Sequence, residues 1–152
     1  MPKSIDVAEY ILQRRGCLPA MKLQKLVYYC QAWSLAWDGR ALFDDEIQAW
    51  ANGPVAPLLY VEHHGKSTVC TVRGDPSLIE CDTVARETVD SVLQFYARKS
   101  KHWLYDLTHA EVPWREARGN LPAWVRGSRP IPNELMASYY SKLAATKSTA
   151  AS

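Results

Sequence analysis

The sequence predicts a mainly α protein: a single compact helical domain of about six to seven helices, with at most one short β-hairpin or extended pair near 47–51 and 68–72. Three observations carry that expectation. Apolar residues recur at helical spacing through several windows. Glycines and prolines fall between those windows, not inside them. At 152 residues, with no internal repeat, the chain has the length of one domain. A chain of that size buries roughly 70% of its unfolded surface, enough for a core without a structural metal. The domain is expected over 1–143, followed by a disordered tail at 144–152 with nothing apolar to bury.

The first helix is expected at 5–13, with Val7, Ile11 and Leu12 on one face. Ser4 or Asp6 can cap its start, and Asp6 with Glu9 has capping-box spacing. The strongest helix spans 22–38. Leu23, Leu26, Val27, Cys30, Trp33, Leu35 and Trp37 wrap most of its circumference, the pattern of a central helix. Lys22, Lys25 and Tyr29 form its polar edge. The segment 40–52 reads as irregular or extended, anchored by Leu42, Phe43, Ile47 and Trp50. Gly53-Pro54 punctuates it, and Pro54 and Pro57 both suit the first turn of a short helix reaching about Glu62.

The stretch 64–77 reads as loop with one possible strand at 68–72. Asp82 can cap a long helix over 83–98, and Ser100 a short one carrying Trp103, Leu104 and Leu107. Thr108 and Glu111 have capping-box spacing, which starts another helix with Pro113 in its first turn and Gly119 at its end. Three prolines and two glycines make 119–132 a loop. A last helix is expected at 133–143, with Leu135, Met136, Tyr139, Tyr140 and Leu143 as its apolar set.

Composition narrows the function. The 18 basic and 16 acidic residues give a net charge of +2, weak for a protein that lives on phosphate contacts. Small basic clusters at Arg14-Arg15, Arg98 with Lys99 and Lys101, and Arg126 with Arg129 are scattered. Nucleic acid is therefore an unexpected partner. No apolar run is long enough for a membrane span, and the N-terminus is not a signal peptide. The four cysteines show no C-x-x-C spacing, and reduced thiols in a cytoplasmic protein are the natural reading.

No nucleophile-elbow, phosphate-loop, dinucleotide or zinc-helix motif is present. Adjacent His63 and His64 diverge on any regular element, so no metal or cofactor is expected. Asp44, Asp45 and Glu46 read as a solvated acidic loop, and Cys30 as a small buried hydrophobe. Six tryptophans and eight tyrosines are many for this length. They imply either an aromatic core or a binding surface. The residues alone give a helical domain without a visible active site, more consistent with a binding module than with an enzyme.

Three segments go further: Met-Lys-Leu-Gln-Lys-Leu-Val-Tyr-Tyr-Cys-Gln-Ala-Trp-Ser-Leu-Ala at 21–36, Ile-Gln-Ala-Trp-Ala-Asn-Gly-Pro-Val at 47–55, and Leu-Thr-His-Ala-Glu-Val-Pro-Trp-Arg-Glu-Ala-Arg at 107–118, followed by Ile131 and Tyr139-Tyr140. In order and spacing the chain resembles the Panacea domain family of GepA-like phage-associated proteins and SocA-type antitoxins, over roughly residues 5–143.

The resemblance implies an antitoxin that neutralises a cognate protein toxin, encoded by an adjacent gene, through direct binding. A SocA-type alternative is an adaptor that delivers its toxin to a ClpXP-type protease. It implies no catalytic residue, metal or cofactor. Some members carry an added DNA-binding segment; this chain is expected to have none, so autoregulation is not expected. Within the motifs Leu23, Leu26, Gly53, Pro54 and Pro113 are structural, and Trp50 and Trp114 read first as core. The candidate partner-binding set is Lys25, Tyr29, Trp50, Asp106, Trp114 and Arg115. Of these, the polar four read equally as buried pairs, Lys25 with Asp106 among them, or as contacts.

Overall fold

The computed structural model describes residues 1–151, with side chains through Thr146. Eight α-helices form among the described residues, with α2 at their centre: α1 (Ser4–Arg15), α2 (Ala20–Trp33), α3 (Pro57–His63), α4 (Ser77–Glu80), α5 (Thr83–Tyr96), α6 (Lys101–Ala110), α7 (Val112–Arg118) and α8 (Asn133–Ala151). A π-helical turn, Ser34–Asp38, extends α2. Helix α2 is central for the reason its sequence gives. Leu23, Leu26, Val27 and Cys30 are all fully buried, and α1, α5, α6 and α8 pack around it. Burial also pushes the Cys30 thiol upward, away from reactivity. No helix among the described residues is long and apolar enough to cross a membrane.

Two caps stand where local sequence places them. The Asp82 carboxylate accepts from the amide of Ala85 at 3.1 Å, and the Ser100 hydroxyl from that of Trp103 at 3.1 Å. The expected capping box at Thr108 does not form. Helix α6 runs through Thr108 and His109, and the Thr108 hydroxyl donates back to the carbonyls of Leu104 and Tyr105 at 3.1 Å each. Glu111 is instead drawn into the core, where its Oε1 accepts from the Tyr29 hydroxyl at 2.7 Å and the Tyr140 hydroxyl at 2.8 Å. Tyr28 meets Tyr140 at 2.9 Å and the Tyr29 ring stacks on Tyr96 at 4.1 Å. This network ties α2, α5, α8 and the α6–α7 junction together. The acidic run at 44–46 is not merely solvated either. Asp45 accepts from the amide and hydroxyl of Ser4, which caps α1 from a distant loop.

The strand expectation is corrected in its partners. Segments 47–51 and 68–72 do not pair with each other. β2 (Gln48–Trp50) pairs antiparallel with β3 (Gly53–Val55), and β4 (Thr68–Val69) with β1 (Leu18–Pro19). The second pairing brings the Cα atoms of Cys17 and Cys70 to 4.1 Å, and the two are joined by a disulfide. The expectation of uniformly reduced thiols is thus wrong for this pair, because β pairing closes 53 residues of sequence separation that no spacing rule detects. Cys30 and Cys81 are free. The final helix begins as expected and carries on past Leu143. The tail expected to be disordered, 144–152, falls largely on positions whose side chains lie outside the described residues.

Candidate functional site

The 47–55 motif folds into the β2–β3 hairpin because a two-residue connection, Ala51-Asn52, is followed by a glycine. Gly53 sits at φ +118°, a conformation side chains resist. A Cβ there would also lie 3.2 Å from Lys25 Cε and 3.3 Å from Thr108 Oγ1. The hairpin rests on α6 and α7 through contacts that include these two. Trp114 Nε1 donates to the Trp50 carbonyl at 2.8 Å, and His109 Nε2 lies 3.0 Å from the Ala51 carbonyl. His109 is itself packed between Tyr105 at 3.9 Å and Trp114 at 4.1 Å.

The loop over 119–132 lies along the other edge of β2. Amides of Ala49, Ala51 and Ile131 donate to the carbonyls of Arg129, Arg126 and Ile47 at 2.8–2.9 Å. Arg118, at the end of α7, organises that loop. Its guanidinium is 3% exposed and donates to the carbonyls of Ala49 at 3.2 Å, Arg126 at 2.7 Å, Pro122 at 2.6 Å and Val125. Sequence reasoning missed Arg118. The available signal was an arginine in a helix's last turn before a segment rich in proline, which supplies carbonyls but fewer amides.

Beyond this anchor the loop presents Arg126 and Trp124. The Arg126 guanidinium lies 4.5 Å from the Trp50 ring centroid and 5.1 Å from that of Tyr60, and donates to the Tyr60 hydroxyl at 3.2 Å. Trp124 is 87% exposed. Two grooves meet at Ala51. The larger, about 660 Å³, is lined by Tyr105, His109, Trp114, Arg115 and Leu121. The smaller, about 230 Å³, is lined by Met21, Trp50, Asn52, Tyr60, Trp124 and Arg126. Four ion pairs form among the described residues, and neither Arg115 nor Arg126 belongs to one.

The six candidate partner-binding residues therefore separate. Trp50 and Trp114 are half-buried members of this face, and Arg115 is exposed in it. Asp106 is exposed on α6 and makes no ion pair with Lys25, so the expected pair is corrected. Lys25 and Tyr29 are interior, at 1% and 0% exposure. Both lie on the side of α2 covered by the hairpin and by α5–α7, elements whose approach the α2 pattern alone could not show. Leu23, Leu26, Gly53, Pro54 and Pro113 are all buried, as structural residues should be.

Lys25 Nζ donates to the Asn52 carbonyl at 2.9 Å with no carboxylate nearby, and burial lowers its pKa to about 8. Holding that charge in the fold costs on the order of 3 kcal/mol near neutral pH. Because the folded pKa lies below the unfolded value, the cost is full below pH 8 and fades as pH rises toward 10.5. Lys25→Met, which keeps the side chain out to Cε and loses the ammonium with its one hydrogen bond, is expected to stabilise the fold by about 1–2 kcal/mol at pH 7. Urea titrations of both proteins at pH 7 and pH 10 test this. A gain at pH 7 that shrinks at pH 10 is the expected pattern, and destabilisation at pH 7 contradicts it.

Among the described residues no three histidine, cysteine, aspartate or glutamate side chains gather as a metal site would require. No curated protein and no solved structure matches the chain. A family model does: the SocA-like antitoxin, Panacea domain, matches residues 23–115. The match spans the central helix, the hairpin, and α6 with the first turn of α7, and so includes Trp50, Tyr60, Tyr105, His109, Trp114 and Arg115. With the matched segment covering well over half of the 152 residues, the chain belongs to the SocA-like antitoxin family that carries the Panacea domain.

Proposed function

We propose that this chain is the antitoxin of a toxin–antitoxin pair and neutralises a cognate protein toxin, encoded by an adjacent gene, by direct binding through the hairpin face. One observation supports this above the others. The aromatic and arginine side chains of that face are fixed from beneath by backbone hydrogen bonds and ring stacking, yet keep exposed surface. A preorganised surface loses little entropy on docking. Tryptophan, tyrosine and arginine are also the residue types that dominate binding energy at protein interfaces. Nanomolar neutralisation needs about 12 kcal/mol, which a few such anchors can supply.

The test is co-expression with the product of the neighbouring gene. Restored growth and co-elution of the two proteins are the expected results. A neighbour that remains toxic and elutes separately would overturn the reading. Rescue that vanishes when the host ClpXP-type protease is deleted would replace direct neutralisation with adaptor action.

A further inference from the structure

We propose that the hairpin face recognises an acidic, aromatic-bearing segment of its protein partner, with Arg115 and Arg126 as two carboxylate anchors on either side of the Ala51 ridge. The inference rests on the toxin-binding reading above and specifies the chemistry of the partner. Three observations carry it.

First, the face has surplus positive charge. Arg115 lines the larger groove and Arg126 the smaller, and neither has a carboxylate partner among the described residues. The ion pairs that do form among the described residues lie outside both grooves and use other cations: Lys3, Arg14, Arg40 and Arg73. The local acids, Glu116 in the larger groove and Asp106 on α6, are both exposed and unpaired with them.

Second, Arg126 is already oriented. Stacking on Trp50 and Tyr60 holds the planar guanidinium, and the Tyr60 hydroxyl takes only one of its N–H groups. A fork fixed in this way can accept a bidentate carboxylate with little further loss of freedom. The aromatic walls lower the local dielectric and strengthen the bond.

Third, exposed Trp124 beside Arg126, and the Tyr105–His109–Trp114 stack beside Arg115, put ring surface next to each cation. A segment alternating carboxylates with aromatic or aliphatic side chains meets both features at once. Rings with arginine also form platforms for single-stranded nucleic acid. The net charge of +2, the carboxylate of Glu116 at the face, and the burial of Lys25 beneath it favour the acidic protein segment.

Fluorescence anisotropy with three labelled probes tests the proposal: a twelve-residue peptide repeating Glu-Leu-Asp-Phe, the same peptide with lysine at each acidic position, and a twelve-nucleotide oligouridylate. The acidic peptide is expected to bind the wild-type protein at least tenfold tighter than either other probe. Its affinity should fall at least tenfold for Arg115→Glu and for Arg126→Glu, and about a hundredfold for the pair. Arg98→Glu makes the same charge change outside both grooves and should leave binding unchanged. Far-UV circular dichroism should show each variant folded. Equal binding of the lysine peptide, tighter binding of oligouridylate, or insensitivity to both reversals would overturn the proposal. The same variants separate it from the function on which it rests. Growth rescue indifferent to both reversals overturns the charge pairing and leaves neutralisation standing. Reversal-sensitive binding of the acidic peptide without any rescue does the opposite.

Discussion

Replacing Arg118 by methionine is expected to destabilise the protein by about 3–5 kcal/mol and to abolish partner binding. The side chain is 3% exposed, and its guanidinium is held by four carbonyls with no carboxylate in the set. Hydrogen bonds to a charged donor contribute more than neutral ones, and their loss leaves several carbonyls searching for partners. Part of that loss is recovered where water reaches Pro122 and Val125. The carbonyl of Ala49 lies in buried β2 and has no such recourse. Gly127 shows how tightly the site is built, because a Cβ there would lie 2.6 Å from Arg118 Nη1. Urea denaturation followed by tryptophan fluorescence measures the loss. A change below about 1 kcal/mol would mean that the loop is held by its β2 contacts alone.

Gly53→Val is expected to destabilise by about 3 kcal/mol or more, through two additive effects. The backbone at φ +118° lies where β-branched side chains are strongly disfavoured, and the new atoms would press on Lys25 and Thr108. Lys25 cannot simply swing away, because its ammonium is buried and bonded to Asn52. The double variant with Lys25→Met therefore separates the causes. Relief of the contact should recover part of the loss, while the backbone component stays. Thermal unfolding of the wild type, both single variants and the double variant supplies the comparison, with the loss in the double variant measured against Lys25→Met alone. A single-variant loss under about 0.5 kcal/mol would show that the hairpin adjusts freely.

Much of the helical framework was legible because its signals are local. Asp82 and Ser100 cap within three residues of their targets, and the apolar circumference of α2 announces a central helix by itself. The 57–62 helix likewise starts at its proline. What failed was what the chain decides at long range. The pairing of Leu18–Pro19 with Thr68–Val69, the Asp45 cap on Ser4 and the Cys17–Cys70 bond each join segments more than forty residues apart. Helix α4 is a single turn, too short for periodicity to register. At Thr108 a good local motif lost to tertiary demand, since two buried tyrosine hydroxyls hold the Glu111 carboxylate.

The site divides along the same line. Trp50, Trp114 and Arg115 could be named from their motifs, but the motifs could not tell them from Lys25 and Tyr29, which face inward. Burial, not residue type, makes that distinction. Tyr60, His109, Trp124 and Arg126 were invisible as a group because three separate elements bring them together. Arg118 is the residue that fixes their arrangement.

The central claim, that the hairpin, the α6–α7 pair and the 119–130 loop form one docking surface, is tested most directly by hydrogen exchange of the protein alone and bound to the neighbouring gene's product. Slowed exchange concentrated at 48–62 and 105–127 is the predicted result. Protection confined to α1, α4 and α5, with those segments unchanged, would contradict the account.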